Sequence, residues 1–185
     1  MNKPRLIAVT GRPGSGKTTL ARALAQHLRL PAVIRDEIKE GYVRTQGRPC
    51  AELPESNAIA TGLFFDVVGQ MLDGGVSLVA EAAFQHRLWS ERLEPLREKA
   101  EIAIVLCQPG DSIAFERYLR RGLEDPLREI LHGDPGVALA RAGQTPEIPP
   151  YDPPRLGFPT FCVDTRDGYT PSLDELSERL GALFP

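Results

Sequence analysis

The chain has 185 residues, 42% of them hydrophobic and 25% charged, with a formal net charge of −3. That length suits one domain with a substantial buried core. The mildly acidic balance supplies no global basic field for DNA or another polyanion, so a nucleic-acid partner is not expected.

Leu6-Ile7-Ala8-Val9-Thr10 is a short continuous apolar run ending at a glycine, the pattern of a strand buried on both faces. A helix is expected from Lys17 to Arg29, with Leu20, Leu24 and Leu28 on one stripe. Pro31 closes it, and Ala32-Val33-Ile34 reads as the second strand. A short helix over Glu37–Tyr42 follows. A long one then runs from near Pro54 to Gly74-Gly75, its face marked by Ile59, Leu63, Val67 and Met71, with Ala60, Phe64, Val68 and Leu72 beside it. Val76–Ala80 is the third strand, Leu88–Ala100 the next helix and Ile102–Leu106 the fourth strand. Asp111 is placed to cap a helix ending near Gly122. The Pro- and Gly-rich stretch 133–159 reads as irregular, Thr160–Val163 as the last strand and Leu173–Leu183 as the last helix. Alternation of strands and helices predicts an α/β fold: a parallel sheet covered on both faces, in one domain spanning 1–185.

Cys50, Cys107 and Cys162 form no CxxC and lie at no zinc-ligand spacing, so buried free thiols in a reducing compartment are expected. The apolar stretch Leu6–Val9 is too short for the core of a signal peptide, and no run reaches membrane-spanning length. A cytoplasmic protein with no membrane partner is the expectation. Nothing in the pattern speaks to oligomeric state.

Gly11-Arg12-Pro13-Gly14-Ser15-Gly16-Lys17-Thr18 matches GxxxxGK[ST] between a buried strand and an amphipathic helix, the context a phosphate-binding P-loop requires. Gly11, Gly14 and Gly16 let the backbone approach phosphate, and with Ser15 and Thr19 they make the expected nucleotide cradle. Lys17 is expected to reach the β- and γ-phosphates of ATP, and the Thr18 hydroxyl to ligate Mg²⁺.

Asp36 follows the second strand, at the carboxyl ends where open α/β sheets bind ligands. It is a candidate base for an acceptor hydroxyl, with helix capping as the compatible alternative. Glu81 follows the third strand where a Walker B carboxylate stands; metal-water contact, substrate contact and a surface salt bridge are all open to it. Arg117 and Arg121 share a helix face with Arg120, and Arg128 follows. They read as a lid over about 111–135 that surrounds the transferring phosphoryl group, against the alternative of a solvated face paired with Glu116, Glu124 and Glu129. Segment 38–57, with Tyr42, Arg44, Arg48 and Asn57, is expected to line the acceptor pocket.

These residues give the chain a resemblance to the small P-loop kinases of the predicted-kinase (AAA_33-like) family, related to polynucleotide kinase, chloramphenicol phosphotransferase and zeta-toxin-like enzymes. It rests on 11–19, on Ile34-Arg35-Asp36-Glu37-Ile38-Lys39-Glu40, on Val79-Ala80-Glu81-Ala82-Ala83-Phe84, on the arginine-rich lid, and on Phe161-Cys162-Val163-Asp164-Thr165. The resemblance implies a P-loop NTPase three-layer sandwich with strand order 2-3-1-4-5 and a helical lid. It also implies Asp36 as base and adenine near the loop after Val163. The chain departs from the family's Arg-His-Pro-Gly-His lid pattern at Arg128-Glu129-Ile130-Leu131-His132-Gly133-Asp134, leaving the role of His132 open. The leading expectation is transfer of the γ-phosphoryl of ATP to a small-molecule hydroxyl on a nucleoside, sugar, antibiotic or other metabolite. The alternatives are a nucleic-acid 5′-hydroxyl as acceptor, or a nucleotide-dependent regulatory ATPase.

Overall fold

In the computed structural model, which describes residues 3–183, Arg5–Thr10 (β1) is the middle strand of a five-stranded sheet. Leu78–Glu81 (β3) and Glu101–Cys107 (β4) flank it, and Ala32–Ile34 (β2) and Thr160–Val163 (β5) form the edges. The order is β2-β3-β1-β4-β5 and every pair is parallel. Successive β1 side chains point to opposite faces, so the sheet divides two cores. Leu6 and Ala8 join Phe64 and Trp89 on one face, while Ile7 and Val9 join Leu20, Leu24 and Leu176 on the other. Helices on both faces complete the three-layer sandwich.

The helices are Lys17–Leu28 (α1), Arg35–Gln46 (α2), Ser56–Asp73 (α3), His86–Leu93 (α4), Asp111–Glu124 (α5), Pro126–His132 (α6), Pro135–Arg141 (α7) and Leu173–Leu183 (α8). α2 is longer than the pattern suggests and starts directly at the end of β2. β3 starts later, at Leu78, so Glu81 is its last residue, in register with Val9 and Ile34. α4 is cut short at Leu93, because Pro95 suits a 3₁₀ turn over 94–96 and not a helix interior.

Three expectations are corrected. α3 is apolar nearly all round, so its period alone leaves its facing open. The inward stripe is Ala60, Phe64, Val68 and Leu72, while Leu63 and Val67 are exposed. Phe64 decides this by meeting Phe84 and Trp89 edge-on, at centroid distances of 5.7 and 6.5 Å. The stretch after Gly133 is not wholly irregular, since Pro135 opens α7 at a position where proline is pre-organised for a helix. Cys162 is exposed on the edge strand, whereas Cys50 and Cys107 are buried; all three are free thiols.

Helix α6 rests on α2. Leu131 packs with Val43, Cys50 and Leu53, and the Lys39 ammonium donates to the His132 carbonyl at 3.1 Å.

Candidate active site

β1 delivers the chain into the glycine loop from a rigid anchor. The fully buried Thr10 hydroxyl donates to the Ala82 carbonyl at 2.9 Å and accepts the Trp89 indole N–H at 2.9 Å. With its one proton spent, Thr10 accepts from the Tyr151 hydroxyl 3.2 Å away. Beyond this hub the loop turns back on itself. A Cβ on Gly14, at φ +80, would lie 1.9 Å from the Ala114 carbonyl oxygen, so the loop and the first turn of α5 meet backbone to backbone. Gly16, at φ 81, starts α1 with no side-chain cap, leaving the helix's first N–H groups for an anion. The Ser15 hydroxyl is buried with no hydrogen-bond partner among the described residues. These features fit a phosphate group. Thr165, after β5, ties down the far side by donating to the Ser15 carbonyl at 2.6 Å.

Lys17 is only 6% exposed and Glu81 2%. The Lys17 ammonium lies 3.7 Å from Glu81 Oε1, and the Thr18 hydroxyl donates to Glu81 Oε2 at 2.8 Å. Glu81 therefore belongs to the P-loop and is no surface salt bridge. Burial pushes its carboxyl above the ordinary glutamate range, with Lys17 and Thr18 opposing. Thr19 is exposed in the first turn of α1. Among the described residues no group of three or more His, Cys, Asp or Glu forms a metal cage.

Asp36 lies in the first turn of α2, whose N-cap is Ile34, so Asp36 does not cap the helix. Burial alone would raise its carboxyl, but Lys17, His132 and Arg35 together hold it below the usual aspartate range. Arg35 bridges Asp36, at 3.3 Å, to the Asn57 side chain, at 2.9 Å. Arg44 is exposed eight residues further on, about 12 Å along the helix, and is not brought to the P-loop. Within segment 38–57, Val43, Cys50 and Leu53 are buried with Leu131 of α6, and Lys39 is buried beneath the His132 carbonyl.

Three of the lid arginines have separate situations. Arg117 donates to the Thr165 carbonyl at 3.0 Å and to that of Arg166, bracing the loop after β5. Arg128 is paired with Asp134 at 3.1 Å. Arg121 has no carboxylate within ion-pair distance among the described residues. It is exposed to solvent; partial burial and then Arg128 lower its affinity for the proton, while Asp134, Asp36 and Glu81 oppose them. Glu129 is taken by Arg141 rather than by a lid arginine. His132 bonds Glu40 at 2.9 Å and clasps α6 to α2.

Arg12 and Tyr151 carried no signal of their own in the sequence. The Arg12 guanidinium lies 3.1 Å from Asp111 and 5.8 Å from the Tyr151 ring centroid, fastening segment 149–151 over the loop. Asp111, expected as a cap, is the first residue of α5, follows Gly110 and makes this ion pair instead.

A family model described as an AAA domain (AAA_33) matches residues 6–131. Adenylate kinase 1 from Nostoc sp. is 28% identical over 142 residues, 69% of this chain and 74% of that protein. A candidate kinase from Chloroflexus aurantiacus J-10-fl superposes with a TM-score of 0.75 at 29% identity, covering 98% of this chain and 96% of the other. The APS kinase of Mycobacterium tuberculosis, solved with AMPPNP and APS, shares the fold at 19% identity and TM-score 0.61, covering 99% and 98%.

Proposed function

This chain belongs to the AAA_33 family of AAA domains, and from that membership we propose that it moves the γ-phosphoryl of ATP to a hydroxyl of a small molecule. It has the fold and the phosphate loop of a nucleotide-dependent P-loop kinase. The observation that carries the finer reading is the placement of Asp36 in the first turn of α2, where Lys17, His132 and Arg35 hold its carboxyl below the usual aspartate range while Lys17 pairs with Glu81.

In this reading Gly11, Gly14, Ser15, Gly16, Lys17, Thr18 and Thr19 hold the nucleotide phosphates. Thr18 would ligate Mg²⁺ with Glu81 beside it, the ion neutralising charge between the β- and γ-phosphates. Asp36 accepts the proton of the attacking hydroxyl. Arg121 supplies unspent positive charge to the equatorial oxygens, with Arg128 next to it. Arg117 holds the loop after β5 against which adenine would lie. The whole chain acts as one domain with α5 and α6 as its lid.

The name of the Nostoc relative raises a phosphate acceptor as the second reading. A phosphate nucleophile is already ionised at neutral pH and needs no base, whereas a hydroxyl does. Asp36 therefore favours the hydroxyl.

The test is ADP release from ATP and Mg²⁺ across a panel of sugars, nucleosides, antibiotics, aromatic alcohols and AMP. At least tenfold stimulation by one hydroxyl compound is expected. Stimulation by AMP alone would replace the hydroxyl with a phosphate acceptor, and rapid turnover with no acceptor would favour a regulatory ATPase.

A further inference from the structure

A cavity of about 220 Å³ meets the P-loop at Arg12 and Pro13 and is walled by Phe115, Tyr118 and Tyr151. It does not end there. A second space of about 560 Å³ runs on beneath segment 145–150, sharing Phe115, Tyr118, Pro149 and Pro150 with the first. The Phe115 and Tyr118 rings are stacked 6.0 Å apart and form the common wall. Gly136 lies close under Tyr118, since a Cβ there would sit 3.2 Å from the ring.

The polarity of this groove changes along its length. Its inner end holds Arg12, Gln85 and Asp134, and both charged groups already have counter-charges in Asp111 and Arg128. That end offers hydrogen bonds without calling for a charged ligand. The outer part is lined mainly by apolar side chains, with Thr145 and Glu147 as its polar lining. At its mouth Leu139 and Ile148 are each 42% exposed. Single exposed aliphatics are ordinary, but two flanking a concave apolar surface that continues from the phosphate loop form a ligand-sized surface.

We propose that the phosphoryl acceptor is a neutral alcohol with an elongated apolar or aromatic body. Its body runs along Phe115 and Tyr118 and its far end lies between Leu139 and Ile148, so that its hydroxyl end emerges from the groove where this meets the phosphate loop at Pro13. This rests on the kinase reading above and narrows its acceptor: a compact sugar would leave the outer groove empty.

The experiment uses the whole protein with AMPPNP and Mg²⁺ filling the phosphate loop. Benzyl alcohol, 3-phenylpropanol, 5-phenylpentanol, ribose and glucose are titrated while the amide resonances of Tyr118, Leu139 and Ile148 are followed by NMR. Affinity is expected to rise about fourfold per added methylene, as burial of one CH₂ predicts, and both sugars should bind at least tenfold more weakly than 5-phenylpentanol. Leu139→Asp and Ile148→Asp alter exposed positions, so they should fold and bind AMPPNP normally while flattening the length dependence. A flat series, sugars that bind as well as the alcohols, or shifts that avoid these residues would overturn the proposal. Dilution-dependent shifts at Leu139 and Ile148 without alcohol would overturn it too, by assigning the mouth to a second copy of the chain. If AMPPNP itself fails to bind, the kinase reading falls and this inference with it; AMPPNP binding with a flat series sinks the inference alone.

Discussion

The Thr18 hydroxyl donates to Glu81 at 2.8 Å, joining the first turn of α1 to the end of β3. Lys17 reaches the same carboxylate from the adjacent position, at 3.7 Å. Three side chains that a phosphate and its metal would engage are thus already assembled, with the lysine and glutamate both out of water.

Lys17→Ala should therefore do two things. Phosphoryl transfer should fall at least ~10²-fold, the usual scale for losing one preorganised charge-stabilising group. The melting temperature should also drop, because Glu81 loses the charge that offsets its burial. The Lys17→Ala/Glu81→Gln double variant should regain much of that melting temperature while remaining inactive. If the double variant melts no higher than the single one, the buried pair is not the reason for the loss.

Gly14→Ala places a methyl group on the Ala114 carbonyl and at a positive φ. Nucleotide binding and thermal stability should fall together, since loop and α5 share that contact. Normal AMPPNP affinity by calorimetry, with an unchanged melting temperature, would contradict the backbone-to-backbone docking.

Arg121 and Arg117 should separate kinetically. Arg121→Gln should lower kcat by ~10²-fold or more with little change in nucleotide affinity, as expected for charge felt mainly in the transition state. Arg117→Gln releases the loop at Thr165 and Arg166 and should weaken ATP binding instead. Steady-state kinetics showing the reverse pattern would exchange their roles.

The two site carboxylates should impose opposite pH dependences on stability. Asp36 is held below its ordinary range, so its contribution is present above that range and is lost as pH falls through the lower folded value. Glu81 is raised, so its contribution is fullest below the ordinary glutamate value of ~4.3 and is lost as pH rises through the higher folded value. Melting curves of wild type and Glu81→Gln should show the wild type losing ground as pH climbs from ~4 through Glu81's raised value. Parallel curves would mean that Glu81 titrates normally.

The strands and the phosphate loop were legible because their signals are local. Buried parallel strands read as unbroken apolar runs, and Gly11 to Thr18 occupy consecutive positions. The five-stranded order 2-3-1-4-5 came with the family resemblance and is the order found. The facing of α3 was not legible, because Leu63 and Phe64 are equally apolar and only the Phe84–Trp89 cluster chooses between them. Helix α7 was hidden by prolines that mark helix starts as readily as irregular chain. The anchoring of Tyr151 on Thr10, across 141 residues, left no pattern to read. Glu81 was found by its strand-end position, but its burial with Lys17 emerged only from packing.

The most direct test of the account is the rate of transfer of the ATP γ-phosphoryl group by Asp36→Asn, at saturating ATP with an acceptor from the panel. Asn keeps the side chain's shape and removes the charge that accepts the proton. Because Ile34 and not Asp36 is the N-cap of α2, the variant loses no helix cap and should still fold. The account predicts a fall of ~10²- to 10⁴-fold in kcat with AMPPNP affinity close to wild type, beside a modest drop in melting temperature from loss of the Asp36 charge. Transfer by Asp36→Asn at near the wild-type rate would contradict it, and would move the base away from Asp36.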